Sequence, residues 1–81
     1  MLHDIHADYS LQYVKLVRVL RGKIESGEYH QGDILPAADL AHEYHMSIRV
    51  TYHALAVLAA NRYVSRPEGV TSYTVIRQAE I

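Results

Sequence analysis

Between Glu43 and Glu68 the chain carries no acidic residue, and Arg49, Arg62 and Arg66 fall inside that run together with Tyr52 and His53. A guanidinium presents a planar fork of donors that matches the paired acceptors of phosphates and base edges. Tyr and His add donors of shorter reach. These residue types suit an anionic partner rich in acceptors. Six histidines raise a second chemistry, because His3/His6 and His42/His45 are spaced i, i+3, which sets two imidazoles on one helix face. A zinc site needs more ligands than that, and the chain has no cysteine and no two-His-plus-Glu protease spacing. Surface histidines are the simpler account, so no metal is expected. Catalysis fares worse. There is no Gly-rich phosphate loop, no thiol, and no Ser/His/Asp set that a small core could enclose. A typical substrate hollow of ~300–1,000 Å³ is not expected in so small a domain. Neither an enzyme nor a cofactor is expected.

The elements that must position these residues are bounded by size. Eighty-one residues make one domain, and 49% hydrophobic against 21% charged content argues for a folded globule over a disordered chain. No apolar run approaches the ~20 residues of a membrane span. The acidic start, MLHDIHADYS, does not read as a secretory leader. With no disulfide framework, a cytoplasmic setting is expected. The net charge of −1 is a poor guide to partners because it is unevenly spread. Residues 1–43 hold seven acids against four bases, a balance of −3, and residues 44–81 hold four arginines against two acids, a balance of +2. The C-terminal half is the one fitted to an anion.

Leu11, Val14, Val17, Leu20 and Ile24 recur every three to four residues and predict a helix with one apolar face, stopped at Gly27. Residues 27–36 read as a turn-rich connection. A short second helix is expected over 37–45, with Leu40, Ala41 and Tyr44 inward. Ser47 is a good N-cap for a third helix over residues 48–61, with Val50, Ala54, Val57 and Leu58 as its apolar stripe and Asn61 as its left-handed terminator. Two β-rich runs, 63–66 and 71–76, flank Pro67-Glu68-Gly69-Val70 and read as a hairpin. The expected class is therefore mainly α with a small β-hairpin, a winged helix-turn-helix of three helices and a two-stranded wing. Its extent is residues 11–76, with 1–10 an N-terminal extension and 77–81 a tail.

In that fold the third helix enters the major groove of double-stranded DNA by its N-terminal residues, and the wing follows the backbone. The expected contacts are Ser47, Ile48, Arg49, Thr51, Tyr52 and His53 on the helix, with Arg66, Gly69 and Thr71 on the wing (residues 66–72). Arg49 is the candidate for a bidentate guanine contact. Ser47 serves first as a cap, and Gly69 first as a turn residue. Arg62 is a weaker phosphate candidate. Protonation of His42, His45 or His53 would add positive charge and raise affinity.

The run VLRGKIESGEYHQGDILPAADLAHEYHMS, the Ala54-Leu55 pair with Leu58, and YVSRPEGVTSYTV resemble the N-terminal DNA-binding domain of GntR-type transcription regulators. That family ends its first helix in I-x-x-G and turns through P-G-x-x-L-P into the helix-turn-helix. Ile24-Glu25-Ser26-Gly27 and Gly32-Asp33-Ile34-Leu35-Pro36 match, with Gln31 where Pro is usual. The resemblance covers roughly residues 11–76. Ala37-Ala38-Asp39-Leu40-Ala41 replaces the usual S-E-R-E-L-A, and Ser47-Ile48-Arg49-Val50-Thr51-Tyr52 replaces Ser-Arg-x-Thr-x-Arg. Arg49 stands one position late and Tyr52 where the second Arg would be, while Thr71 replaces a wing glycine. The resemblance implies a bacterial DNA-binding regulator, a repressor in kind, whose operator differs from the family's usual ones. No effector domain lies in this chain, which reads either as an excised domain or as a small stand-alone regulator.

A homodimer on a two-fold operator is expected, because one small module gives little specificity alone. The first helix and residues 1–10, where Leu2, Ile5 and Tyr9 have no evident core role, are the expected dimer contact. The rival reading is a winged-helix protein-interaction module that has lost DNA binding, with Ile48 and Tyr52 as interface anchors.

Overall fold

A computed structural model of the chain describes residues 5–69 and 72–77, with side chains from residue 11 onward. The elements run α1 (Ile5–Glu25), β1 (Ile34–Leu35), α2 (Ala37–Glu43), α3 (Ile48–Ala60), β2 (Val64–Ser65) and β3 (Tyr73–Val75). Three helices surround one core, and a small antiparallel sheet of order β1-β3-β2 closes it. This is a winged helix, mainly α, as the periodicity implies.

α1 starts at Ile5, upstream of the boundary expected at Leu11. It buries Leu16, Leu20 and Ile24, each at most 1% exposed, whereas Leu11 is 59% and Val14 38% exposed. The expected apolar face is thus rotated. Residues 11–20, LQYVKLVRVL, hold two overlapping apolar stripes, and packing against α3 selects the one through Leu16. Gly27 terminates the helix with φ 89°, a left-handed conformation that costs glycine nothing, and its N–H donates to Ile24 O at 3.2 Å.

The connection to α2 is more ordered than its turn composition implies. His30 N–H donates to Asp33 Oδ2 at 2.8 Å, and the Gly32 and Val75 amides bond across to Val75 O and Asp33 O, each at 2.8 Å. Ile34 and Leu35 then pair with Thr74 and Tyr73, so β1 is a third strand where a plain loop was expected. Gln31, in the place of the usual Pro, donates its side-chain amide to Ile76 O at 3.1 Å and ties the turn to the end of β3.

α2 is the shorter helix, ending at Glu43 rather than His45. Its N-cap is Pro36, which offers no side-chain acceptor, and Ala37, Leu40 and Ala41 are buried. Tyr44 is half-buried. The Lys23 ammonium lies 5.4 Å from the ring centroids of both Tyr29 and Tyr44 and 3.6 Å from Glu28. This surrounding holds Lys23 above the ordinary lysine range, first through the Tyr44 hydroxyl oxygen. That hydroxyl is buried without a partner in hydrogen-bond geometry, so it acts on Lys23 as a nearby dipole. Lys23 is therefore committed to the scaffold.

Asn61, expected to be left-handed, has φ −98°, and the left-handed residue is its neighbour Arg62 at φ 65°. Asn61 instead donates its side-chain amide to Val57 O at 2.9 Å. The chain then enters β2, where Val64 and Ser65 pair with Val75 and Thr74. Tyr63 anchors this corner by donating its hydroxyl to the Glu25 carboxylate. Arg77 covers the Tyr63 ring at 3.9 Å and donates to Asn61 O at 2.9 Å.

Candidate nucleic-acid interface

The interface is built on the first turns of α3. Ser47 has extended backbone angles, and its Oγ accepts the Val50 N–H at 3.1 Å, satisfying one of the donors a helix leaves open at its start. Its carbonyl accepts both the Thr51 amide and the Thr51 hydroxyl, each at 3.0 Å. From this fixed start the helical repeat sorts the following residues. Val50, Thr51, Ala54, Leu55 and Leu58 turn inward, while Ile48, Arg49 and Tyr52 stay exposed.

Two of the expected contacts are corrected by this sorting. Thr51 is fully buried, because its position one turn before Leu55 falls on the core side and Ser47 O satisfies its hydroxyl. It is not a surface residue. His53 is half-buried on the flank toward α1, where its ring stacks on Tyr13 with centroids 4.0 Å apart and planes 15° apart. It is a packing contact between α1 and α3 rather than part of the outward front. Val57, expected in the apolar stripe, is only half-buried, and the fully buried Leu55 is the residue that stripe lacked.

The Arg49 side chain engages in no hydrogen bond, ion pair or ring contact among the described residues. Its guanidinium is thus available at the mouth of α3, where the helix dipole adds partial positive charge. Ile48 at 45% and Tyr52 at 39% exposure complete the front.

On the wing, Arg66 follows β2 and is exposed, with its guanidinium 5.7 Å from the Tyr73 ring. The ring steadies the stem while leaving the charged end at the surface. Gly69 has φ 82°, and a Cβ there would meet nothing within 4 Å. The positive φ therefore accounts for the glycine by turn conformation. Thr71, the remaining wing candidate, lies outside the described residues.

Among the described residues no three His, Asp or Glu side chains converge as metal ligands would. No described helix is long and apolar enough to cross a membrane. One feature departs from the expectation that so small a domain has no hollow. An open groove of about 400 Å³ runs between α1 and α3, lined by Tyr13, Val14, Val17, Arg18, Arg21 and Val57. No residue pattern in the sequence announces it, since its lining comes from two helices far apart in the chain.

No protein-family model and no curated protein matches the chain. Among solved structures the chain is similar to E. coli McbR/YncC, a GntR-family regulator, with a TM-score of 0.73 and 23% identity over 80% of this chain. The match takes in 30% of that protein, so the chain spans under a third of its neighbour's length. At this identity the likeness establishes architecture. The chain has the winged helix-turn-helix fold.

Proposed function

We propose that the chain is a sequence-specific DNA-binding regulator, of the repressor kind, acting by occlusion of a promoter and working as a homodimer in the cytoplasm. The observation that carries this reading is the uncommitted Arg49 beside exposed Ile48 and Tyr52 on the capped start of α3. In the major groove, Arg49 takes O6 and N7 of a guanine, Tyr52 reaches a base edge or phosphate, and Ile48 packs on a thymine methyl. Ser47 and the α3 amides meet a phosphate at the helix start. Arg66 and the amides at Gly69, with Thr71 beside them, hold the neighbouring backbone. The likeness to McbR/YncC supports the reading at the level of fold. On this account the domain binds and does not catalyse.

The rival reading, a protein-interaction module, draws on one observation. Ile48 and Tyr52 are large, apolar and exposed side by side on the front, where they resemble interface anchors. Titration of the protein against pooled random duplex DNA at low and moderate salt, with selection of the bound fraction, separates the two. Enrichment of a palindromic motif, abolished by Arg49→Ala, supports the regulator. Steep salt dependence is expected with it, since each phosphate contact releases counterions. Absence of binding at low salt overturns the regulator reading in favour of a protein partner.

A further inference from the structure

We infer that the groove between α1 and α3 is a ligand site for a small carboxylic acid with an apolar body, Arg18 and Arg21 holding the carboxylate and Val14, Val17 and Val57 the body. The lining divides by chemistry. Val14, Val17 and Val57 are aliphatic, and Tyr13 adds a ring already fixed by its stack on His53 at 4.0 Å. That wall is in place before any ligand arrives, which lowers the cost of binding. Arg18 and Arg21 are exposed, and their side chains make no hydrogen bond, ion pair or ring contact among the described residues. Residues three apart share one helix face, about 4.5 Å apart along its axis, so the two guanidiniums can converge on one carboxylate.

Charge and size select the occupant. No acid lines the groove, and Glu25, one turn beyond Arg21, is engaged by the Tyr63 hydroxyl. Two like charges a turn apart without a counter-charge favour an anion. A bare phosphate or a nucleic-acid backbone would satisfy the arginines and leave the aliphatic wall in water. An uncharged apolar molecule would cover that wall and desolvate the guanidiniums without pairing them. A carboxylate on an apolar body meets both halves. The volume, about 400 Å³, is that of a small-molecule site. Ile48, Arg49 and Tyr52 are not part of the lining, so the site stands or fails independently of the DNA reading.

Fluorescence titration of the intact chain with dansylglycine, an apolar ring system bearing a carboxylate, tests it without DNA. Saturable binding at one site per chain is expected. Arg18→Gln and Arg21→Gln should each weaken it about tenfold, as loss of a charge-assisted hydrogen bond does. Val14→Asp should weaken it comparably by placing an acid in the lining, whereas Lys15→Gln, outside the lining, should leave it unchanged. Dansylamide, with the same rings and no carboxylate, should bind about tenfold more weakly. Acetate, with the carboxylate and no body, should displace the probe only weakly. Because the substituted residues are exposed, circular dichroism should show each variant still folded. Absence of saturable binding, equal affinity for dansylamide, or affinity unchanged in both arginine variants would overturn the inference.

Discussion

The two faces of α3 follow different rules although they share thirteen consecutive residues. On the inner face Val50, Thr51, Ala54, Leu55 and Leu58 are at most 2% exposed, and Ala54, Leu55 and Leu58 belong to the one hydrophobic core. On the outer face Ile48, Arg49 and Tyr52 are exposed. The inner face answers to packing and the outer face only to whatever docks there. This separation explains the uneven resemblance along the chain. The turn residues Gly32 to Pro36 match the GntR-type pattern because β1 and the first turn of α2 need them. The exposed residues at the start of α3, Ile48, Arg49 and Tyr52, depart from it where the core makes no demand.

Substitutions on the two faces should therefore fall into separate classes, and the largest effect belongs to the inner one. Leu55→Ala empties a fully buried site at the centre of the helix and should cost about 2–5 kcal/mol. That is a large part of a small domain's stability, so its urea midpoint should fall steeply. Arg49→Ala should do the opposite. The urea midpoint stays in place, while affinity for the selected operator drops by about 1–3 kcal/mol, roughly 5- to 150-fold. A fall in both quantities for Arg49→Ala would erase the distinction between the faces.

Ser47→Ala sits at the hinge between the two classes and should cost about 1 kcal/mol in stability through loss of the bond to the Val50 amide. Thermal denaturation measures it, and Ser47→Asp should retain most of the cap. On the wing, Arg66→Ala should leave stability nearly unchanged and lower the salt slope of DNA binding by about one unit. The smallest effect concerns pH. The Glu25 carboxylate raises the ionisation of Tyr63 above the usual phenol range by accepting its proton in a hydrogen bond. A group whose folded pKa is raised stabilises the fold below its unfolded pKa and loses that contribution as pH rises through the folded value. Stability near neutral pH should thus keep the Tyr63 contribution, and its decline on the alkaline side should be shallower in Tyr63→Phe.

Much of this division was legible in the residues themselves. Ser47 announced the start of α3 by its type and place, and Gly27 the end of α1. The exposure of Ile48, Arg49 and Tyr52 followed from helical repeat. What stayed hidden depends on partners distant in sequence. Ile34-Leu35 is too short to show alternation, and becomes a strand only because Tyr73 and Thr74 return to it. The buried stripe of α1 was ambiguous, since residues 11–20 offer two apolar faces and α3 chooses between them. Thr51 was misplaced because a hydroxyl reads as a surface group until Ser47 O is seen to accept from it. His53 likewise needed Tyr13, forty residues earlier, to be recognised as a packing residue.

The central position of β3 bears on how the chain is made. Ile34 pairs with Thr74, forty residues further on, so the segment holding α2 and α3 is enclosed by a long closure. As synthesis proceeds from the N-terminus, all three helices emerge before the strand that completes the sheet. Until residues 73–75 arrive, the Leu35 and Val64 edges have no ladder to join, and the ordering of the long segment between them has no contacts to offset its entropy. The three residues of β3 thereby act as the clasp of the domain, and a nascent chain halted in the wing would carry the whole of α3 without the closure that sets it.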